Sequence, residues 1–342
     1  MRFLPTSDQQ AMADTVRAAL ARECAPPVLR NAGDVTRDRR IWAALANLGV
    51  FGLTVPEKAG GLGLDQRDAV GVFQEIGRAA APGPIADTFA AAALLAPFAE
   101  EPPAAGWLSR IAAGDAVVSI GLGAAPLVEA ADQADLLILQ KDAELHAVPA
   151  AGTRAERAES VDPNRRLFTV QWQPGPQTLL TADAEALARA RDHLLLAASA
   201  ELVGLGRKLL DLAVRHVSVR EQFGRPLGTL QAVQHRLADV AVGIEFADPV
   251  VARAACSLAA GAPSAARDVA MAKVFASEAA ERAAYSGLQA HGAIGYTREH
   301  DFHLYALRAW SLALAHGDAR RHRQRVADDL LGGAPAARFP AG

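Results

Sequence analysis

The strongest constraint on this chain is a pair of long helix-periodic segments joined by a short break. Before the break, Leu195, Ala198, Leu202, Leu205, Leu209 and Leu212 recur at three- and four-residue steps. After it, Leu230, Val233, Leu237, Val240 and Ile244 do the same, which is the helical period. Between them Gly224, Pro226 and Gly228 interrupt the pattern and force a turn. Two long helices therefore meet at a tight junction that carries Arg220, Gln222, Arg225 and Gln231. A guanidinium beside amides and the free N–H groups of a helix start is suited to an anion. The same residues also fit an ordinary helix hairpin with a solvated basic end.

Composition narrows the function classes. A chain of 342 residues can bury a sizeable core in two or three domains. Abundant Ala and few aromatics favour helix. With a net charge of −3 and basic residues dispersed rather than striped, nothing favours nucleic acid. Cys24 and Cys256 lie far apart without metal-type spacing and read as reduced thiols. Met1 to Pro5 run directly into Asp8 and polar residues, so no apolar leader core follows. The apolar run at 90–99 contains Pro97 and is too short for a bilayer. The expectation is a cytoplasmic protein without a membrane segment.

At the N-terminus, Ser7 with Gln10 suggests a capped helix start, and Pro26-Pro27 the end of that helix. A second helix carries Ile41, Trp42, Leu45 and Leu48 and stops at Gly49. The glycine-rich run 49–64 lacks the Gly-Lys-Ser/Thr ending of a P-loop and a strand–Gly-x-Gly-x-x-Gly–helix context, so it reads as a structural turn. From Asp115 the periodicity changes. Residues 117–122, 134–140, 144–148 and 167–172 read as strands of a small antiparallel β domain, with Trp172 as packing at its edge. After Gln177 helical period returns, and a third helix over 266–288 leads into Gln289-Ala290-His291-Gly292-Ala293-Ile294-Gly295-Tyr296-Thr297-Arg298-Glu299-His300. Gly292 and Gly295 suit a close backbone approach. His291 and His300 read as structural, partly exposed imidazoles with no metal-like set around them, and Glu299 as the ion-pair partner of Arg308.

The run Arg220-x-Gln222-Phe223-Gly224-x-Pro226-Leu227-Gly228-x-x-Gln231-Ala232-x-x-His235-x-x-Ala238-Asp239 resembles the signature of the acyl-CoA dehydrogenase family. The glycine-rich segment 49–64 and the run Val72 to Arg78 resemble the family's N-terminal helical domain. Gln289 to Glu299 resembles its Gln-x-x-Gly-Gly-x-Gly-(Tyr/Phe)-Thr-x-Glu motif. The resemblance implies a mainly α fold with a small inserted antiparallel β domain. Its parts are an N-terminal helical domain over 1–114, a shortened middle β domain over 115–181, and a C-terminal four-helix bundle over 182–342. It implies FAD as cofactor, with Arg220 and Gln222 at the pyrophosphate, Phe223 at the adenosine end and Gln231 nearby. Gln289, Gly292 and Ala293 would meet the adenine half, Ala293 standing where the family has a second glycine.

Two departures matter. Gly121 to Pro126 stands where the family has a Thr-Glu-Pro-x-x-Gly-Ser-Asp-like segment for the flavin ring, and a Trp-Ile-(Thr/Ser)-Asn-like segment has no counterpart. The family's base, a Glu that takes the α-proton of the thioester, matches His316 here, with Asp318 two residues on. The alternative base position on the preceding helix is Leu194, with Asp192 half a turn away. Asp318, Asp192 and His316 are the candidates, and neither customary position holds a carboxylate. The resemblance therefore implies a subunit of an FAD-dependent enzyme oxidising an acyl-CoA, paired with a homologous full-length subunit (α2β2) and an electron-transfer acceptor, as in enzymes acting on steroid side-chain thioesters. A self-sufficient homo-oligomer with a relocated base, or a non-catalytic binding protein of the same fold, are the alternatives.

Overall fold

The computed structural model describes residues 4–31, 39–124 and 126–332. Residues 1–3 of the segment read for a leader, and Ala125 of the Gly121–Pro126 stretch, lie outside the described residues. Helix α1 (Ser7–Glu23) starts one residue earlier than the sequence suggests. Thr6 is its cap, accepting from Gln9 N while the Gln9 side chain accepts from Thr6 N. Pro26-Pro27 does not end α1, which stops at Glu23, but opens α2 (Pro26–Asn31). Proline lacks the N–H that a first-turn residue leaves unbonded anyway. Then come α3 (Arg39–Asn47), α4 (Gln66–Ala79), α5 (Ile85–Leu95) and α6 (Trp107–Ala112). The loop after α3 folds on itself: a Cβ on Gly61 would lie 2.1 Å from Val55 O.

Seven strands follow: β1 (Val118–Gly121), β2 (Val128–Glu129), β3 (Leu136–Lys141), β4 (Glu144–Pro149), β5 (Arg154–Ala158), β6 (Leu167–Gln171) and β7 (Leu179–Thr181). They form one sheet in the order β1-β3-β4-β7 and another in the order β2-β6-β5. The pairing is antiparallel except for β1 with β3, which run parallel with Val118 opposite Leu136. Alternation alone does not encode the direction of a neighbour, and β2, β5 and β7 were not among the strands read from the sequence. The short β7 also precedes the return to helix. Val128, Leu137, Leu139 and Phe168 fill a small core between the sheets, with Trp172 against it.

The C-terminal helices are α7 (Ala184–Val219), α8 (Gln231–Ala259), α9 (Ala265–His291), α10 (Phe302–Leu314) and α11 (Ala319–Leu331), with the ribbon β8 (Glu221–Gln222) and β9 (Arg225–Pro226) between α7 and α8. Helix α7 packs against α4, α5, α8, α9 and α10, and every residue from Asp192 to Gly206 is buried. A helix apolar on all sides belongs at the centre of a core. Its closest approach is to α4, where a Cβ on Gly204 would lie 1.8 Å from Gln74 O and one on Gly77 would lie 2.0 Å from Glu201 O. We expect Gly204→Ala to destabilise the protein by about 2–3 kcal/mol through forced separation of the helices. Gly243→Ala, on α8 with nothing within 4 Å of the added methyl, should stabilise it by about 0.5–1 kcal/mol. Urea unfolding of the two variants checks both signs.

Candidate functional site

The helix-to-helix corner forms at one end of α7. Gln222 pairs with Arg225 across a two-residue turn in which Phe223 and Gly224 both adopt positive φ (55° and 75°). Such a turn matches the twist of the ribbon and usually selects Asn or Gly at its first position. Phe223 instead takes the left-handed conformation and is 87% exposed, a strained arrangement with no packing gain among the described residues. Arg220 is exposed, and its guanidinium has no partner among the described residues. Gln222 donates to Glu221 O at 2.9 Å, and Gln231 is exposed in the first turn of α8. The backbone behind them is fixed, with Leu227 N donating to Arg220 O at 2.8 Å.

The second motif lies at the same end of the bundle. The His216 ring, one turn before Arg220, stacks on His291 with centroids 4.4 Å apart. Gly292 follows at φ 65° with open space where a Cβ would stand, and Gln289, Ala293 and Tyr296 are exposed. His291 is buried, contrary to the sequence expectation, and His216, His291 and His300 bring one ring nitrogen each within 4.8 Å of one another. The isolated imidazoles read from the sequence are thus a cluster assembled from α7, α9 and the turn before α10. His291 Nδ1–H donates to Gly287 O at 2.7 Å, leaving Nε2 unpartnered, whereas His300 Nδ1 accepts from Phe302 N. The His300 lone pair at Nδ1 is therefore engaged and its Nε2 carries the proton. Burial, helped by the two neighbouring rings and opposed by the bond to Gly287, pushes His291 down to about 4. Glu299 is exposed and does not reach Arg308, which points inward from α10 to Asp162 and donates to Ala81 O at 2.9 Å.

At the other end of α7, the three base candidates are occupied otherwise or chemically unsuited. Asp318 caps α11, accepting from Arg321 N at 2.8 Å. Asp192 is buried and takes Arg325 at 2.8 Å; desolvation raises its pKa against that charge. His316, at φ 59°, and Leu194 line one open cleft of ≈ 910 Å³ together with Leu122 and Gly123. The positions that the family resemblance assigns to flavin ring and base are thus brought together, and the carboxylates that line the cleft among the described residues, Asp318 and Asp328, are each hydrogen-bonded within α11. Gly123 N, a donor that could face a ring, is taken by Gln140 Oε1 at 2.9 Å.

Behind His316 lies a group that the periodicity concealed. Asp87, Glu129, Glu201, Arg165 and Arg308 surround a void of ≈ 20 Å³, room for one water. Arg165 pairs with Glu129 at 2.8 Å and donates to Ser311 O and Oγ, while Arg308 pairs with Asp162 and keeps Nη2 unpartnered. Burial pushes Asp87 up to about 8 and Glu201 up to about 7. Glu201 follows Leu194 and Ala198 on one face of α7, at the spacing of apolar core positions; only its polarity marked it out. Lys273, wholly buried, donates to Leu312 O, Ala313 O (2.6 Å) and Gly317 O, and so fixes the loop that carries His316.

Family models match both ends of the chain: "Acyl-CoA dehydrogenase, N-terminal domain" over residues 6–115 and "Acyl-CoA dehydrogenase, C-terminal domain" over residues 185–331. Acyl-CoA dehydrogenase IpdE2 of Mycobacterium tuberculosis is 35% identical over 321 residues, 92% of this chain and 93% of that protein. The chain belongs to the acyl-CoA dehydrogenase family. A variant of the Tcur3481-Tcur3483 steroid ACAD has the same fold at TM-score 0.85 and 25% identity, covering 96% of this chain and 99% of that one. So does the ChsE4-ChsE5 complex from Mycobacterium tuberculosis at TM-score 0.84 and 23% identity, covering 100% of each chain. Acyl-CoA dehydrogenases are flavoproteins, and their cofactor is FAD. The exposed guanidinium, the outward aromatic and the open backbone at Gly292 suit the nucleotide half of that cofactor. The ring half does not find its usual donors among the described residues. No helix among the described residues is long and apolar enough to cross a membrane.

The buried acids predict a pH effect. The pKa of Glu201 rises from its ordinary 4.5 to about 7 on folding, first through desolvation. Between these values the unfolded chain binds fewer protons, so stability falls as pH rises through that window. Glu201→Gln should flatten the decline by on the order of 3 kcal/mol. Denaturant unfolding at pH 4.5 and pH 8 checks this; parallel pH profiles for variant and wild type would refute it.

Proposed function

We propose that this acyl-CoA dehydrogenase family chain is the catalytically incomplete, flavin-sharing subunit of a two-subunit, FAD-dependent acyl-CoA dehydrogenase. The observation that carries this reading is the absence of a free carboxylate at Leu194 and His316, combined with an exposed phosphate-suited hairpin at Arg220. A homologous full-length subunit would supply the base, the flavin-ring contacts and the thioester grip, in an α2β2 assembly. When bound, FAD supplies the two-electron acceptor for the acyl Cα–Cβ bond. This chain's part is to hold the diphosphate with Arg220 and Gln222, to pack Phe223 and place Gln231 beside the adenosine, and to present Gln289, Gly292 and Ala293 to the adenine half. The acyl group fits the bulky, steroid-derived class on the strength of the steroid ACAD likeness, and electrons leave to a separate acceptor. The N-terminal helical, middle β and C-terminal helical domains, divided near 114 and 181, would each serve this assembly.

A self-sufficient homomer has one further candidate base in Glu201, whose pKa near 7 suits proton abstraction. The void beside it has room for a single water and not for an acyl chain, which favours the shared site. Expression of this chain alone and with its full-length homologue, followed by flavin absorbance, decides between them. Yellow colour is expected only on co-expression; a yellow homomer bleached by acyl-CoA would overturn the proposal. In the complex, Arg220→Ala should weaken FAD retention about 10- to 100-fold, the worth of one charge-assisted phosphate contact. Unchanged FAD content in that variant would remove Arg220 from the site.

A further inference from the structure

Three imidazoles from separate elements converge behind the Arg220 corner. His216 lies on α7, His291 ends α9, and His300 stands in the turn before α10. One ring nitrogen from each comes within 4.8 Å of the other two. The ring centroids are 4.4, 4.6 and 5.9 Å apart. Imidazoles that share one tetrahedral ion, at a metal–nitrogen distance of about 2.0–2.1 Å, have centroids roughly 5 Å apart. The spacing is thus already close to that of a common centre. The tautomers suit it too. His291 commits Nδ1–H to Gly287 O at 2.7 Å, which leaves the lone pair on Nε2, and that atom is buried without a partner. Metal-bound histidines commonly anchor their other N–H on a carbonyl in this way. His300 keeps its lone pair on Nδ1, facing the N–H of Phe302 at 3.1 Å. His216 makes no hydrogen bond among the described residues.

We propose that His216, His291 and His300 bind a divalent transition cation of the zinc class, with a water in the fourth position. The feature that asks for an ion is Nε2 of His291. As ring packing alone, the cluster leaves a solvent-shielded acceptor unpaired among the described residues, which is costly; a metal ion uses it. Loading calls for a turn of the His216 ring, which no hydrogen bond opposes, and for release of Phe302 N from His300 Nδ1. That N–H opens α10, where no intrahelical carbonyl receives it, so water can serve it instead. Donor chemistry selects the ion. Neutral imidazoles suit zinc, cobalt, nickel or copper, whereas magnesium and calcium take oxygen ligands. The set among the described residues contains no carboxylate, and the charge of Arg220 reaches His216. A cation held by charge alone would therefore be repelled. The bound ion clips α7, α9 and the turn before α10 together, directly behind Arg220 and Gly292. The site does not rest on the flavin-sharing reading, since all three ligands belong to this chain and binding needs no flavin.

The test is cobalt(II) titration of the full chain, untagged and stripped of metal by a chelator that is then removed. The proposal expects saturable one-to-one uptake with the intense visible absorption of a four-coordinate cobalt centre, and loss of that colour when zinc is added. Zinc should also raise the melting temperature, as a ligand of the native state does. His216→Phe keeps an aromatic ring on His291 but lacks the nitrogen. It should retain the circular dichroism of the wild type and weaken cobalt binding at least about tenfold. His300→Asn, whose amide oxygen can still accept from Phe302 N, should weaken it likewise. His235→Ala, exposed on α8 outside the set, should bind as wild type. Absence of saturable uptake, magnesium binding as tight as zinc, or wild-type affinity in both His216→Phe and His300→Asn would each overturn the proposal. An equal loss in His235→Ala would overturn it as well, by placing the ion elsewhere.

Discussion

The approach of α4 to α7 sets the rest of the molecule. Gly77 and Gly204 let the two backbones come within a distance that any side chain would prevent. That contact draws α7 into the centre, where it is surrounded by α5, α8, α9 and α10. Residues 192–206 of α7 are buried, whereas residues at its two ends are exposed. One end carries Arg220 and the ribbon; the other carries Leu194 beside the open cleft, and the single helix holds the two apart.

The β strands are joined to this helical frame by charge rather than by apolar packing alone. Asp162 and Arg165, in the connection between β5 and β6, reach Arg308 and Ser311 on α10. Both arginines are nearly inaccessible, so loss of one partner would leave a buried charge unpaired, which is far more costly than losing a surface ion pair. Asp87 and Glu201 lie in the same group without an ion-pair partner of their own among the described residues, and desolvation raises the pKa of both. The interior next to the base position is therefore filled with paired and neutralised polar groups.

Legibility varied with the range of the interaction. The turn at Gly224, the strands β1, β3, β4 and β6 and the helix after Ser264 follow from local period and turn chemistry, and the structure has them within a few residues. The cap at Thr6 rather than Ser7 is a one-residue shift, because both hydroxyls offer the same bond and only the entry angle of the chain chooses between them. Arg308 was paired with Glu299 on sequence proximity, whereas the fold turns it toward Asp162, 146 positions away. The histidine cluster was missed for the same reason: its members come from three elements, with no spacing that links them.

The sequence by itself determined the elements, the family and the chemical character of the hairpin, because these depend on neighbours a few positions apart. It also exposed the missing carboxylates, since a residue's identity at a matched position needs no coordinates. Only the tertiary structure decided which charged and titratable groups meet: the buried acids around a water-sized void, and the histidines drawn together from α7, α9 and the turn before α10. Their states depend on burial and on the sign of nearby charges, and both are created when distant segments pack.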